Sequence, residues 1–399
     1  MSATTAGETK TAGDLLRLIR SGRTATRGDL QRVTGLSRTT VGQRLDQLFA
    51  AGWIREHGSV PVDRGGGRPS ARLEFDASHA VVLAADLGTR HARAALLDLT
   101  GRILAEHTGE LRVDAGPAAV LDRLGEWFAG LLGGREGGAV CGVGLSVPGP
   151  VDAGRLVQPP IMPGWDGCEP APLLRAALAR RVPGAAALPV LTDNDANLMA
   201  YAEQRAGHPD CAAFLLVKVS TGIGAGVVVD GGIYRGIDGG AGDIGHIRLD
   251  GAPGALCRCG SYGCLAAVAS GGAVARELTA LGVPAYSGSE VRELLAAGHP
   301  QAVRLAAEAG RRVGEVLGTV VTLLNPGVLM IAGDLAGTPF LAGVRELLYA
   351  RAMARTTAHL QVVTAGLGDR AGLLGAGALV VEELYAPASA DARLAAMGI

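Results

Sequence analysis

Apolar positions recur at helical spacing three times within the first fifty residues. Leu15, Leu16 and Ile19 give one short helix an apolar side, Leu30 and Val33 a second, and Val41, Leu45 and Leu48 a third. Gly35 breaks the second from the third, and Ser37 suits the N-cap of the third because its hydroxyl can accept from an unpaired backbone N–H. The period then shortens: residues 53–56 and the alternating residues 71–75 read as two strands around a loop rich in Gly and Arg. Three helices and a β-hairpin predict a winged helix-turn-helix over residues 1–78.

From Ala80 onward, apolar strands alternate with glycine turns and helices, which predicts an α/β body. Strands are expected at 81–85, 92–98, 140–147, 190–192, 214–219 and 328–332. The longest apolar run, 316–331, is interrupted by Asn325-Pro326, so it reads as a buried helix followed by a buried strand. Many of the 61 glycines stand at strand ends, which fits a cleft lined by close-approaching backbone. No short-period repeat is visible, although two similar lobes need not show one.

Composition adds a division of charge. The chain has 399 residues, 48% of them hydrophobic and 19% charged, as in a folded protein of two or three domains. Its formal net charge of −1 combines +5 over residues 1–75 with −6 over the remainder, so a polyanion would meet the front only. The first ten residues lack the apolar core of a secretory leader and no uninterrupted apolar span follows, so cytoplasm is the expected compartment and no membrane partner is expected.

In a helix-turn-helix the residues just after the second helix's N-cap meet base edges. Ser37, Arg38, Thr39, Thr40, Gln43 and Arg44 are therefore the candidate DNA-reading residues: Arg can read guanine, Gln adenine, and Thr a phosphate or a thymine methyl. Arg64 and Arg68, in the glycine-rich wing tip, are candidates for a narrow minor groove. The same composition also suits a flexible linker.

His246, Cys257, Cys259 and Cys264 supply one imidazole and three thiols within 19 residues, a donor set suited to tetrahedral structural Zn2+. Gly260 and Gly263 allow the tight turns between ligands. Four protein ligands leave no open coordination position, so such a metal holds a loop and performs no hydrolysis. Cys141, Cys168 and Cys211 stand alone and read as core fillers.

Four segments carry a resemblance to the ROK family of repressors, open reading frames and kinases. They are residues 146–152 (SVPGPVD), 193–197 (DNDAN), 220–226 (STGIGAG), and 239–246 with the cysteine cluster. The resemblance implies an actin-like ATPase fold, two α/β lobes closing over a cleft, behind the DNA-binding front. It divides the chain into the winged helix-turn-helix at 1–78, a first lobe at 79–193 to which 370–399 returns, and a second lobe at 194–369 with the zinc site and a dimerisation surface. A homodimer or homotetramer is implied. An Asp in the position of Asp195 is the general base of the family's kinases. Gly149, Asn194, Asp195, Asp243 and His246 match sugar-binding positions, His246 giving one ring nitrogen to zinc and turning the other to the ligand.

Departures from that pattern weigh against phosphoryl transfer. The kinases' Asp-x-Gly-Gly-Thr loop reads Asp86-Leu87-Gly88-Thr89-Arg90, which denies phosphate a close backbone approach. Ile161 and Ala266 stand where Asn and Glu contact the sugar, and Asp243 replaces a longer Glu. Asp195 then reads as vestigial. The expected protein is a repressor of carbohydrate metabolism that binds a double-stranded operator and answers to a sugar or sugar-phosphate effector. The alternative is an active ATP-dependent sugar kinase that also binds DNA. Arg90 stays open between an obstruction, an anchor for phosphate or carboxylate, and the partner of a neighbouring acid.

Overall fold

The computed structural model describes residues 10–60, 70–133 and 139–399. Three helices open it: α1 (Ala12–Arg20), α2 (Arg27–Thr34) and α3 (Arg38–Ala50). Thr11 and Thr26 start the first two with reciprocal capping boxes to Asp14 and Asp29. Gly35 ends α2 at φ 72°, in the left-handed region open to glycine, and Ser37 caps α3 by accepting from the Thr40 N–H at 3.1 Å. Leu15, Leu16, Ile19, Leu30, Val41, Leu45 and Leu48 are buried together. Val33 departs from expectation at 56% exposure. Three residues of helix turn through roughly 300°, which aims Val33 about 60° away from Leu30 and off this small core. Strands β1 (Ile54–Val60) and β2 (Ser70–Phe75) pair antiparallel. The segment between them, with Arg64 and Arg68, lies outside the described residues.

The body uses one topology twice. In the first sheet β3 (Ala80–Leu87), β4 (His91–Asp98) and β5 (Ile103–Glu110) form an antiparallel meander, and β6 (Ala139–Val147) joins β3 in parallel. After a short hairpin of β7 (Val151–Asp152) and β8 (Arg155–Leu156), β9 (Val190–Asn194) adds in parallel to β6. The second sheet repeats the plan. Its meander is β10 (Ala213–Val219), β11 (Ile223–Val229) and β12 (Gly232–Ile233), with β13 (Val328–Ala332) and β14 (Gln361–Thr364) parallel beyond β10. The strand orders are β5-β4-β3-β6-β9 and β12-β11-β10-β13-β14.

Helices α4 (Pro117–Leu132) and α5 (Pro170–Ala179) bury their apolar sides on one face of the first sheet. Helix α6 (Asp195–Gly207) leaves the end of the first sheet yet packs on β10 and β11 of the second. A separate core beneath the second sheet is built with α7 (Leu265–Ala269), α8 (Gly271–Ala280), α9 (Gly288–Ala296), α10 (Pro300–Leu324) and α11 (Thr338–Arg351). The short α12 (Ala354–Thr357) lies against α10. Helix α13 (Ala371–Leu384) makes the reverse journey of α6, leaving the second sheet to pack on β3 and β6 of the first, and it crosses α6 on the way. Glycines permit these approaches. A Cβ on Gly375 would lie 2.0 Å from the Leu198 carbonyl oxygen, and one on Gly144 2.2 Å from that of Ala376.

The N-terminal unit is not tethered loosely. Helix α14 (Pro387–Ala396) packs against α1, and Arg20 pairs with Glu382 at 3.3 Å. Tyr385 is fully buried, edge-on to Trp53 and Phe75 at 5.3 and 5.2 Å, with its hydroxyl 2.6 Å from His79 Nε2. The Arg393 guanidinium lies over both the Trp53 and Tyr385 rings, at 4.8 and 4.6 Å. One apolar cluster therefore runs from α1–α3 through α13 and α14 to a face of the first sheet. Among the described residues no helix is long and apolar enough to cross a membrane.

Candidate ligand cleft, metal loop and helix face

A cavity of ≈ 940 Å³ opens between the lobes, and Gly149, Asn194, Asp195, Asp243 and His246 all line it. Chain ends of both sheets converge there, as expected where glycine turns follow strands. Asn194 ends β9 and caps α6, its carbonyl oxygen accepting from the Ala196 N–H at 2.9 Å. Its amide donates to the Gly149 carbonyl at 3.0 Å. Two of the expected ligand residues thus hold each other, and Asp195 begins α6 beside them.

The cleft floor holds a group that the sequence reading passed over. Lys218 projects from β10 and places its ammonium 2.5 Å from Asp195 Oδ2. Burial acts against its charge, but attraction from Asp195 and Asp86 outweighs that cost and its pKa is raised. Asp86, at the end of β3, accepts from the Ser146 hydroxyl. Burial pushes its pKa up, with Lys218 and Ser146 opposing. Helix α13 starts against this carboxylate: a Cβ on Gly372 would come within 2.7 Å of the Asp86 carboxylate atoms. The signal for Lys218 was present in the chain as a single cation in the otherwise apolar stretch 213–219.

Two of the lining positions singled out in the sequence are apolar. Ile161 and Ala266 line the cavity with no hydrogen-bonding side chain, and burial raises the pKa of Asp243 against the opposing pull of His246. Arg90 occupies the turn between β3 and β4. It makes no ion pair among the described residues, and neighbouring Asp114 is held by Arg112 at 2.5 Å. Asp114 feels the Arg90 charge as well as that of Arg112, so Arg90 lies near this acid without forming a direct ion pair with it.

At the cleft's edge the ligating atoms of His246, Cys257, Cys259 and Cys264 lie within 4.8 Å of one another. His246 Nδ1 is 3.7 Å from Cys257 Sγ, and Cys259 Sγ is 3.8 Å from Cys264 Sγ. Tetrahedral bonds of about 2.3 Å to sulfur place donor atoms roughly 3.8 Å apart, so the donor set fits zinc in number, chemistry and spacing. Nδ1 faces the thiols, which leaves Nε2 as the ring nitrogen available to a ligand in the cleft. Gly260 and Gly263, at φ 86° and 79°, make the turns between ligands. The remaining cysteines are half-buried among apolar side chains, and burial pushes the Cys141 thiol up to about 11.

On α3 the buried Val41, Leu45 and Leu48 turn the opposite side outward. Ser37, Arg38, Thr39 and Gln43 are exposed, while Thr40 and Arg44 are half-buried. Arg38 has no acidic partner among the described residues, and Arg44 reaches only Gln47, at 3.4 Å.

Residues 82–383 match the model of the ROK family. A xylose repressor of Caldicellulosiruptor bescii is 26% identical over 88% of this chain and 90% of its own length. A glucokinase of Thermotoga maritima is 30% identical over 76% of this chain and 98% of its own. A crystal structure described as a ROK family transcriptional regulator, homologous to the E. coli MLC protein, superposes with a TM-score of 0.79 at 25% identity. It covers 96% of this chain and 98% of that one.

Proposed function

The chain belongs to the ROK family, and from that premise we propose that it is a transcription repressor, with residues 1–78 as a winged helix-turn-helix and the inter-lobe cleft as an effector site. One observation carries this reading: an exposed, cationic first turn of α3 is built into the same apolar core as the first lobe. A relative covering both parts of the chain is named a repressor, whereas the glucokinase matches the smaller share. Ser37, Arg38, Thr39, Thr40, Gln43 and Arg44 contact the operator, with Arg64 and Arg68 in the wing. A homodimer or homotetramer sets two such units on a pseudo-palindromic site. A bound effector shifts the population of lobe arrangements and with it the operator affinity.

Zn2+ held by His246, Cys257, Cys259 and Cys264 pins the loop that carries His246 to the cleft. Phosphoryl transfer is lost in this reading. Both oxygens of the Asp195 carboxylate already accept hydrogen bonds, Oδ2 from the Lys218 ammonium and Oδ1 from the Ala196 N–H at 2.7 Å, so a substrate hydroxyl would have to compete for the remaining lone pairs. Arg90 meanwhile stands where the kinases carry a small hydroxyl residue, which removes the close backbone approach that a nucleotide's phosphates need there.

Gel-shift titration against operator sequences selected from random DNA tests the proposal. Wild type binds one sequence class with affinity that falls steeply with salt, and Arg38→Ala or Gln43→Ala costs about 1–3 kcal/mol of discrimination. Binding with no sequence preference would sink it. ATP-dependent phosphorylation of glucose or xylose that disappears in Asp195→Asn would instead establish a kinase that also binds DNA.

A further inference from the structure

Six cations line the cleft, and they divide into two sets. Arg93 is held by Glu106 and Asp369, Arg292 by Asp334 and Asp369, and Lys218 by Asp195. Arg90, Arg258 and Arg276 form no salt bridge among the described residues, Arg90 acting on Asp114 only through its charge. Arg276 gives one N–H to the Ala267 carbonyl at 3.0 Å and keeps the rest of its fork free.

The unpaired three also line a second, adjoining cavity of ≈ 640 Å³. Its only other charged side chains are Arg112 and Asp114, which neutralise each other at 2.5 Å. That recess is therefore cationic by three charges, although the body as a whole is acidic. The three come from separate places: Arg90 from the β3–β4 turn of the first lobe, Arg258 from between two of the metal-loop cysteines, and Arg276 from α8 of the second lobe. Like charges facing one recess from both lobes repel, and an anion placed among them reverses the sign of that interaction.

We propose that Arg90, Arg258 and Arg276 form an inter-lobe receptor for the phosphate of a small phosphomonoester, the rest of the ligand extending into the cleft. The proposal deepens the effector reading above and rests on it. A phosphomonoester at neutral pH carries nearly two charges on three terminal oxygens, which three planar guanidinium forks can share. A carboxylate offers two oxygens and one charge. A recess of this size is in the range that small ligands fill. Closing the lobes on such an anion needs Arg90 from one side and Arg258 and Arg276 from the other, so occupancy selects the closed arrangement.

Calorimetry on the full-length protein with inorganic phosphate, glucose 6-phosphate, glucose and gluconate as probes tests this. Both phosphate-bearing probes are expected to bind saturably, glucose and gluconate at least roughly tenfold more weakly than glucose 6-phosphate, and Arg90→Ala or Arg276→Ala to weaken the phosphate probes by roughly tenfold each. Removing the Arg112–Asp114 pair together, as Arg112→Ala with Asp114→Ala, leaves the net charge of the recess unchanged and is expected to change binding little. Because all three arginines are exposed, the unliganded variants should melt as wild type does. Equal binding by wild type and the triple Arg→Ala variant, equal binding of gluconate, or no binding of either phosphate probe at millimolar concentration would each overturn the proposal. Gel shifts without ligand separate the two readings. Operator binding without arginine-dependent phosphate binding defeats the receptor alone, and the converse defeats the repressor alone.

Discussion

The two lobes share a strand order but are put to different uses, and the difference lies in what each sheet buries. The first sheet gives one face to α4 and α5 and the other to a cluster that continues through α13 and α14 into the N-terminal unit. The second sheet packs on α10 and α11 in a core that contains none of that unit, and it carries the cysteine loop. One lobe is thus continuous with the helix face and the other with the metal site, and the cleft is where they meet. Topology alone does not assign these roles. They follow from which side chains extend each core.

The sharpest way to break this contrast is to remove one buried aromatic from each side. Tyr385→Ala and Phe340→Ala both empty fully buried positions, and each should cost about 3–5 kcal/mol by denaturant unfolding. Only Tyr385→Ala should also abolish operator binding at temperatures where both variants are folded, since Phe340 lies in the second core. Equal loss of DNA binding in the two would erase the distinction. Metal removal is the next largest test. Zinc analysis should return one ion per chain, lost in Cys264→Ser, and chelation should lower stability by about 2.7 kcal/mol if free zinc stood a hundredfold above its dissociation constant. That loss should leave the Trp53 fluorescence environment unchanged, because Trp53 belongs to the other core.

The smallest effect is the pH response of the junction. Burial lowers the pKa of His79 below its ordinary 6.5, with the Asp76 carbonyl opposing and Arg393 adding to the depression. The unfolded chain therefore binds more protons in the window just below pH 6.5, and stability present above that value declines as the pH falls through it. Melting at pH 7.5 and 5.5 should show a slope that His79→Gln reduces. An unchanged slope would remove His79 from the account.

Much of this was readable from the chain because it was locally encoded. Helical spacing marked α1 and α3, alternation and β-rich runs marked β3, β4 and β13, and four soft donors in a short span marked the metal loop. Val33 misled because a three-residue step only approximates the apolar face of so short a helix. Strand β5 was missed because residues 103–110 are half polar and lie at a sheet edge, where water satisfies one side. The Lys218–Asp195 pair and the ring cluster around Tyr385 join residues far apart in sequence. No periodicity reports such contacts. The two similar lobes, expected without a visible repeat, leave none in the sequence for a related reason, since equal backbone paths do not require equal side chains.

The exchange of helices between the sheets gives the molecule a fulcrum. Helix α13 begins on the Asp86 carboxylate, is pinched against α6 at Gly375, and ends one residue before Tyr385. From pinch to tip it spans roughly 14 Å at 1.5 Å per residue. A tilt of about 5° at the pinch would swing the tip by about 1 Å, an amount a close-packed aromatic joint transmits instead of absorbing. A rigid rod pivoting between two bodies amplifies small rotations at one end into translation at the other, with no need for the rod itself to bend.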